Sequence, residues 1–168
     1  MFLLQISEIA SMATYYRILP ICCVLLILAC QNKKKEVIDL TESPKKLELF
    51  APELVSTKYD ERDIAISPDG NEIIYTLGNY DQSLRSLVSI KKSGAFWGTP
   101  ELLSFSGRHN DIEPFFSTDG TKLYFASNRP MDLDSTRTDY NIWAVDRTIE
   151  GWGMPSALNT LINTSGDE

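Results

Sequence analysis

A self-similarity about fifty residues long narrows the folds open to this chain before any element is assigned. Ser67-Pro68-Asp69-Gly70 returns 50 residues later as Ser117-Thr118-Asp119-Gly120. Residues 72–76 (EIIYT) lie over 122–126 (KLYFA) at the same offset. The offset then grows to 55: residues 87–90 lie over 142–145, and Trp97-Gly98-Thr99-Pro100 over Trp152-Gly153-Met154-Pro155. The five extra residues fall in the polar stretch between Ala126 and Asn141. A partial copy upstream aligns Pro52-Glu53-Leu54 with Pro100-Glu101-Leu102, and Glu168 falls where Glu113 stands.

Each copy carries four short strand signals. The first three (64–66, 73–77 and 87–90, with their counterparts 114–116, 123–126 and 142–145) are nearly continuous apolar runs rich in β-branched and aromatic residues. Such runs suit strands covered on both faces. The fourth follows the proline at 52, 100 or 155 and is more polar, as an outer edge strand should be. The first two are joined through Asp69-Gly70 or Asp119-Gly120. Proline presets φ for the first central position of a type I turn, aspartate suits the next, and glycine accepts the positive φ that follows. Four strands in about fifty residues is the period of a β-propeller blade. The expected fold is therefore all-β, with two full blades at about 63–104 and 113–160 and a lone fourth-type strand at 51–56. A closed ring needs about 4–8 blades, so the sequence reads as a fragment of a longer propeller. Its terminal faces, lacking neighbours, should drive association.

The N-terminal part obeys different rules. Residues 18–29 (ILPICCVLLILA) form a twelve-residue apolar run, with Arg17 before it and Lys33, Lys34 and Lys35 after. That is short of the ~20 residues a membrane-spanning helix needs. It fits the apolar core of a secretory signal, usually about 7–15 residues. Leu28-Ala29-Cys30 resembles the lipobox of bacterial lipoproteins, in which the cysteine is acylated and becomes the first mature residue. The expected organisation is thus a signal peptide at 1–29, a polar tether at 30–46 and the propeller portion at 47–168. Cys22, Cys23 and Cys30 are the chain's three cysteines, so the segment from Gln31 onward holds no disulfide and no thiolate site.

The segment STDGTKLYFASNRP, followed by NIWAVDR and GWGMPSALNTLINTSGDE, resembles the WD-like β-propeller repeat of TolB-type periplasmic proteins. The look-alikes include Bacteroidetes lipoproteins and envelope proteins that join a propeller to a peptidoglycan-binding module. Ser86 and Asn141 stand where that pattern expects a carboxylate before the third strand. The resemblance implies a binding scaffold rather than an activity.

Composition narrows the chemistry. The 168 residues hold 23 acids against 16 bases, a net charge of −7, and a single histidine. An acidic chain without a basic face does not suit a nucleic-acid partner. His109 shows no oriented partner of the kind a general base needs. Asp132, Asp134 and Asp139 are spaced like a calcium loop, but Arg137 and Trp143 stand where such a loop needs Gly and Glu. They read as a solvated acidic loop. Trp97 and Trp152 recur at one repeat position and read as packing residues between blades. No cofactor, metal site or catalytic residue is expected. The long connections 78–85, 105–112 and 128–140 should share one face of the propeller, gathering Tyr80, Arg108, His109, Arg129, Asp132, Asp134 and Asp139 as a candidate binding face. The expected role is a lipid-anchored envelope protein, facing the periplasm from the outer membrane, that binds a protein or peptidoglycan-associated partner. The alternative is a glycan-binding or hydrolytic enzyme whose catalytic residues lie in missing C-terminal blades or domains.

Overall fold

The computed structural model describes residues 37–41, 43–131 and 139–168, all within one unit spanning Lys35–Glu168. The expected signal peptide, Cys30 and the first part of the polar tether (30–36) lie outside the described residues, as do Glu42, Asp132 and Asp134. Among the described residues the chain is all-β, with no helix. The first sheet contains β1 (Asp60–Ile66), β2 (Glu72–Gly78), β3 (Arg85–Ser93), β4 (Phe96–Trp97) and β5 (Glu101–Leu102). The second contains β6 (Asp111–Phe116), β7 (Lys122–Ser127), β8 (Asn141–Thr148), β9 (Gly151–Trp152) and β10 (Ser156–Ala157). Every pairing between these strands is antiparallel.

The two sheets follow one plan down to single bonds. Val88 pairs with Leu102 as Trp143 pairs with Ala157. Lys92 pairs with Trp97 as Arg147 pairs with Trp152. Gly98 N donates to Lys91 O and Gly153 N to Asp146 O, both at 2.9 Å. Both first strands carry a register shift, with Asp63 (φ 52°) and Glu113 (φ 55°) in left-handed conformation at the bulge. Each tryptophan, expected simply to follow the third strand, ends a two-residue strand of its own, Phe96–Trp97 and Gly151–Trp152. β3 and β8 run past their apolar part into polar extensions, and the chain turns back to lay each tryptophan beside them.

The first hairpin of each sheet closes on a serine as well as on the expected Asp-Gly. Gly70 N donates to Ser67 O at 2.8 Å, and Gly120 N to Ser117 O at 2.9 Å. Gly70 and Gly120 have φ of 67° and 70°, a region that penalises any Cβ. Ser67 Oγ donates to Asp69 Oδ1 at 2.6 Å and accepts from Glu72 N at 2.8 Å. Ser117 repeats this with Asp119 (2.6 Å) and Lys122 N (2.9 Å). Aspartate, serine and backbone thus brace the turn together.

The lone strand expected at 51–56 is not formed. The N–H groups of Leu54, Val55 and Ser56 converge on Ala51 O at 3.1, 2.9 and 3.3 Å, and Ala51 and Glu53 adopt positive φ. Only an isolated bridge, Pro52 to Ser56, remains. The physical reason is burial. Leu54 and Val55, adjacent in sequence, are both buried in one cluster, whereas a strand would send them to opposite faces.

Two apolar clusters hold the sheets. Ala65, Ile74, Leu87 and Leu103 of the first sheet and its outgoing loop pack against Phe116, Leu123, Phe125, Trp143, Val145 and Trp152 of the second. On the far side of the first sheet, Ile73, Tyr75, Val88, Ile90 and Trp97 are covered by Leu54 and Val55, with Ile38 and Leu40 alongside. Trp97 Nε1 donates to Ile38 O at 3.3 Å. The first sheet is thus covered on both faces, and β2 is buried almost throughout. β7 alternates at its start, because one face of the second sheet is less covered.

Candidate functional site

One end of the sheet stack gathers the connections 78–85, 105–112 and 128–131. Asn110 joins them. Its Oδ1 accepts from Arg85 N at 2.8 Å, and its own N–H donates to Asn128 Oδ1 at 2.9 Å. Asn128 N returns a bond to Asn110 O at 3.3 Å. Beneath this lies Asp111, fully buried at the start of β6. Its carboxylate accepts from Ser106 Oγ and Ser127 Oγ, both at 2.6 Å. It also accepts from Arg129 Nη2 at 2.7 Å. A buried charge is tolerable only when paired and hydrogen-bonded in this way. Ser106 Oγ also accepts from Leu87 N at 3.0 Å, tying the 105–112 connection to β3.

Arg129, expected as a surface binding residue, is turned inward. Its side chain is only 11% exposed. Its guanidinium carbon stands 5.0 Å from the Phe125 ring centroid, 5.3 Å from Trp143 and 5.9 Å from Phe105, within cation–π range. Its Nε donates to Ser127 Oγ at 3.0 Å. Arg129 is the floor of the site rather than its rim.

The rim is formed by other candidates. Tyr80 is 94% exposed, on a loop closed by Asn79 N to Leu84 O at 3.0 Å and Leu84 N to Asn79 Oδ1 at 3.0 Å. Asp81 on that loop accepts from Ser83 N and Oγ, and the serine hydroxyl leads in holding its carboxyl below the ordinary value. Arg108 is exposed and His109 half-buried on the neighbouring connection. Asp139 is half-buried and accepts from Asn141 Nδ2 at 3.1 Å. Three buried polar atoms at this end, Arg85 Nε, Asn141 Oδ1 and Trp143 Nε1, have no hydrogen-bond partner among the described residues.

The opposite, Asp-Gly end holds a second polar group that sequence reasoning did not single out. Glu72, 3% exposed, accepts from Ser89 Oγ at 2.6 Å and from Trp152 Nε1 at 3.4 Å. It also pairs with Arg147 Nη2 at 2.9 Å. The Arg147 guanidinium lies 4.2 Å from the Trp152 ring centroid. A shallow cleft of ≈ 340 Å³ opens there, lined by Asp69, Lys91, Lys92 and Glu150 among others. A glutamate opening an apolar strand was the signal available for Glu72. For Asp111 it was an acid entering a strand with serines at 106 and 127.

Among the described residues, no group of three or more His, Cys, Asp or Glu side chains could hold a metal ion. The loop end offers a polar rim of mixed charge above the buried Asp111–Arg129 pair. No protein-family model matches the chain, and no curated protein matches it either.

Proposed function

We propose that this chain is a lipid-anchored bacterial envelope protein whose two stacked sheets are blades of a TolB-like β-propeller serving as a non-catalytic binding scaffold. Cys30 carries the acyl anchor. Because Gln31 is not an acidic retention residue, the anchor sits in the outer membrane with the scaffold facing the periplasm. The loop end, with Tyr80, Arg108 and His109 at its rim, takes a protein or peptidoglycan-associated partner. The observation that carries this reading is the convergence of three connections on Asn110, next to the buried Asp111–Arg129 pair, which gives the rim loops a fixed base.

Two measurements test it. Metabolic labelling with a radioactive fatty acid should mark the chain and not Cys30→Ser, which should stay unprocessed or leave the membrane fraction. Labelling of the variant overturns the anchor. Photo-crosslinking residues placed at Tyr80 and Arg108 in intact cells should give discrete products, while the same probe at Thr121, on the opposite end, should not. Equal products from both ends overturn the binding face.

A further inference from the structure

The two sheets treat one cross-strand position in opposite ways. On the second sheet, Lys122 and Asp146 stand across from each other and close an ion pair. On the first, the same position holds Glu72 and Lys91, and that pair stays open. Glu72 is already engaged by Ser89 Oγ, Trp152 Nε1 and Arg147. Lys91 is exposed, and among the described residues its ammonium has no hydrogen-bond or ion-pair partner. It lines the cleft of ≈ 340 Å³ at the Asp-Gly end, a size within the usual range of small-molecule sites.

The charges around that cleft divide into engaged and free. Asp69 accepts from Ser67 Oγ and from Asn71 N and Nδ2. Arg147 is held by Glu72, by Gly120 O through its Nε at 2.9 Å, and by the Trp152 ring. The Lys92 ammonium stands 5.9 Å from the Trp97 ring centroid. There remain Lys91, on the wall formed by β3, and Glu150, on the wall formed by the turn between β8 and β9. Glu150 is also exposed. Among the described residues its carboxylate has no partner, and it does not pair with Lys91. Its turn is braced: Glu150 N donates to Thr148 Oγ1 at 3.3 Å, and that hydroxyl donates to Gly151 O at 3.2 Å.

We propose that this cleft binds a free amino acid, whose carboxylate meets Lys91 and whose ammonium meets Glu150. A simple anion would answer the lysine and be repelled by Glu150, and a simple cation would do the reverse. A zwitterion suits both walls. The balance of the lining agrees. Asp69, Glu72 and Glu150 stand against Lys91, Lys92 and Arg147, so no net local charge favours a ligand of one sign. Because the two walls belong to different sheets, the ligand bridges them, and binding stabilises the folded chain by mass action.

Three probes of one shape test this on the full chain: L-alanine, L-alaninamide without the carboxylate charge, and propionate without the ammonium. Isothermal titration at constant ionic strength should show saturable binding of alanine, about tenfold tighter than either relative. Alanine should also raise the thermal midpoint. Lys91→Gln should erase the preference for alanine over alaninamide and keep that over propionate. Glu150→Gln should do the opposite. Both side chains are exposed, so the midpoints without ligand should not move. Propionate or alaninamide binding the parent as tightly as alanine makes the cleft a site for a single charge and overturns the proposal. Absence of saturable alanine binding overturns it as well, as does a loss in either variant that falls equally on all three probes. The inference does not rest on the loop-end reading. A ligand this small leaves no protein product at the Thr121 probe, so either can fail alone.

Discussion

Gly120 shows how one backbone angle fixes a turn. At φ 70° a β-branched side chain is strained, and a Cβ there would also stand 3.4 Å from Pro68 Cδ of the neighbouring turn. Gly120→Val should therefore lower stability by ~1–2 kcal/mol or more. Thr121→Val, which loses one exposed hydrogen bond to Asp119, should stay within ~0.5 kcal/mol. Urea unfolding of both variants checks this, and equal midpoints would remove the turn's role. Asp119 adds a pH signature. The Ser117 hydroxyl, followed by Thr121, holds its carboxyl down to about 2 from an ordinary 3.8. The folded-state value lies below the unfolded one, so this contribution is present above about pH 4 and fades as the pH falls through about 2. Asp119→Asn should lower stability near neutrality, flatten the profile between about pH 4 and 2, and match the parent only at the acid end of that window. The Asp-Gly pair was legible in the sequence because its conformational demand is local. The serine's part was not, because a hydroxyl bonding five residues ahead leaves no compositional mark.

At the scale of elements, the hairpins and edge strands follow from pattern, and the exceptions follow from burial. β2, β3, β7 and β8 appear where apolar runs predict them, since a run covered by neighbours has only one way to satisfy its backbone. The strand expected at 51–56 rested on a matching proline, yet burying Leu54 and Val55 together outweighed that match. The Asp111–Arg129 pair was hidden for a different reason: its members are eighteen residues apart and meet only once β6 and β7 pair. Arg129→Met leaves the Asp111 carboxylate buried without its cation and should destabilise the chain by ~3–5 kcal/mol. Asp111→Asn combined with Arg129→Met should recover part of that loss. Guanidinium unfolding of the single and double variants is the measurement, and an additive loss in the double would show that the two side chains act separately.

At the scale of the molecule, the stacking order of the two sheets was not legible. The sequence gives matching positions no rank, and both copies read as doubly covered. Only the coordinates separate the closed face at Ile74 from the open one at Phe115. That the connections carrying Tyr80, Arg108 and His109 leave the sheets at one end was legible in the strand order, because hairpin topology sends alternate connections to opposite ends; that Arg129 turns inward was not. The segment from Ile38 to Val55 has a mechanical consequence. It lies on the first sheet through side-chain packing and the Trp97 Nε1 bond to Ile38 O, with no ladder of backbone bonds to the sheet among the described residues. A load arriving from the N-terminal side of the chain therefore peels this segment one contact at a time before it can shear a strand. In single-molecule pulling, the chain should yield in two steps, a low-force release of the segment and then a higher-force rupture of the sheets. Trp97→Ala should weaken the first step and leave the second, so the segment behaves as a strain-relief loop that spares the stack from small tugs.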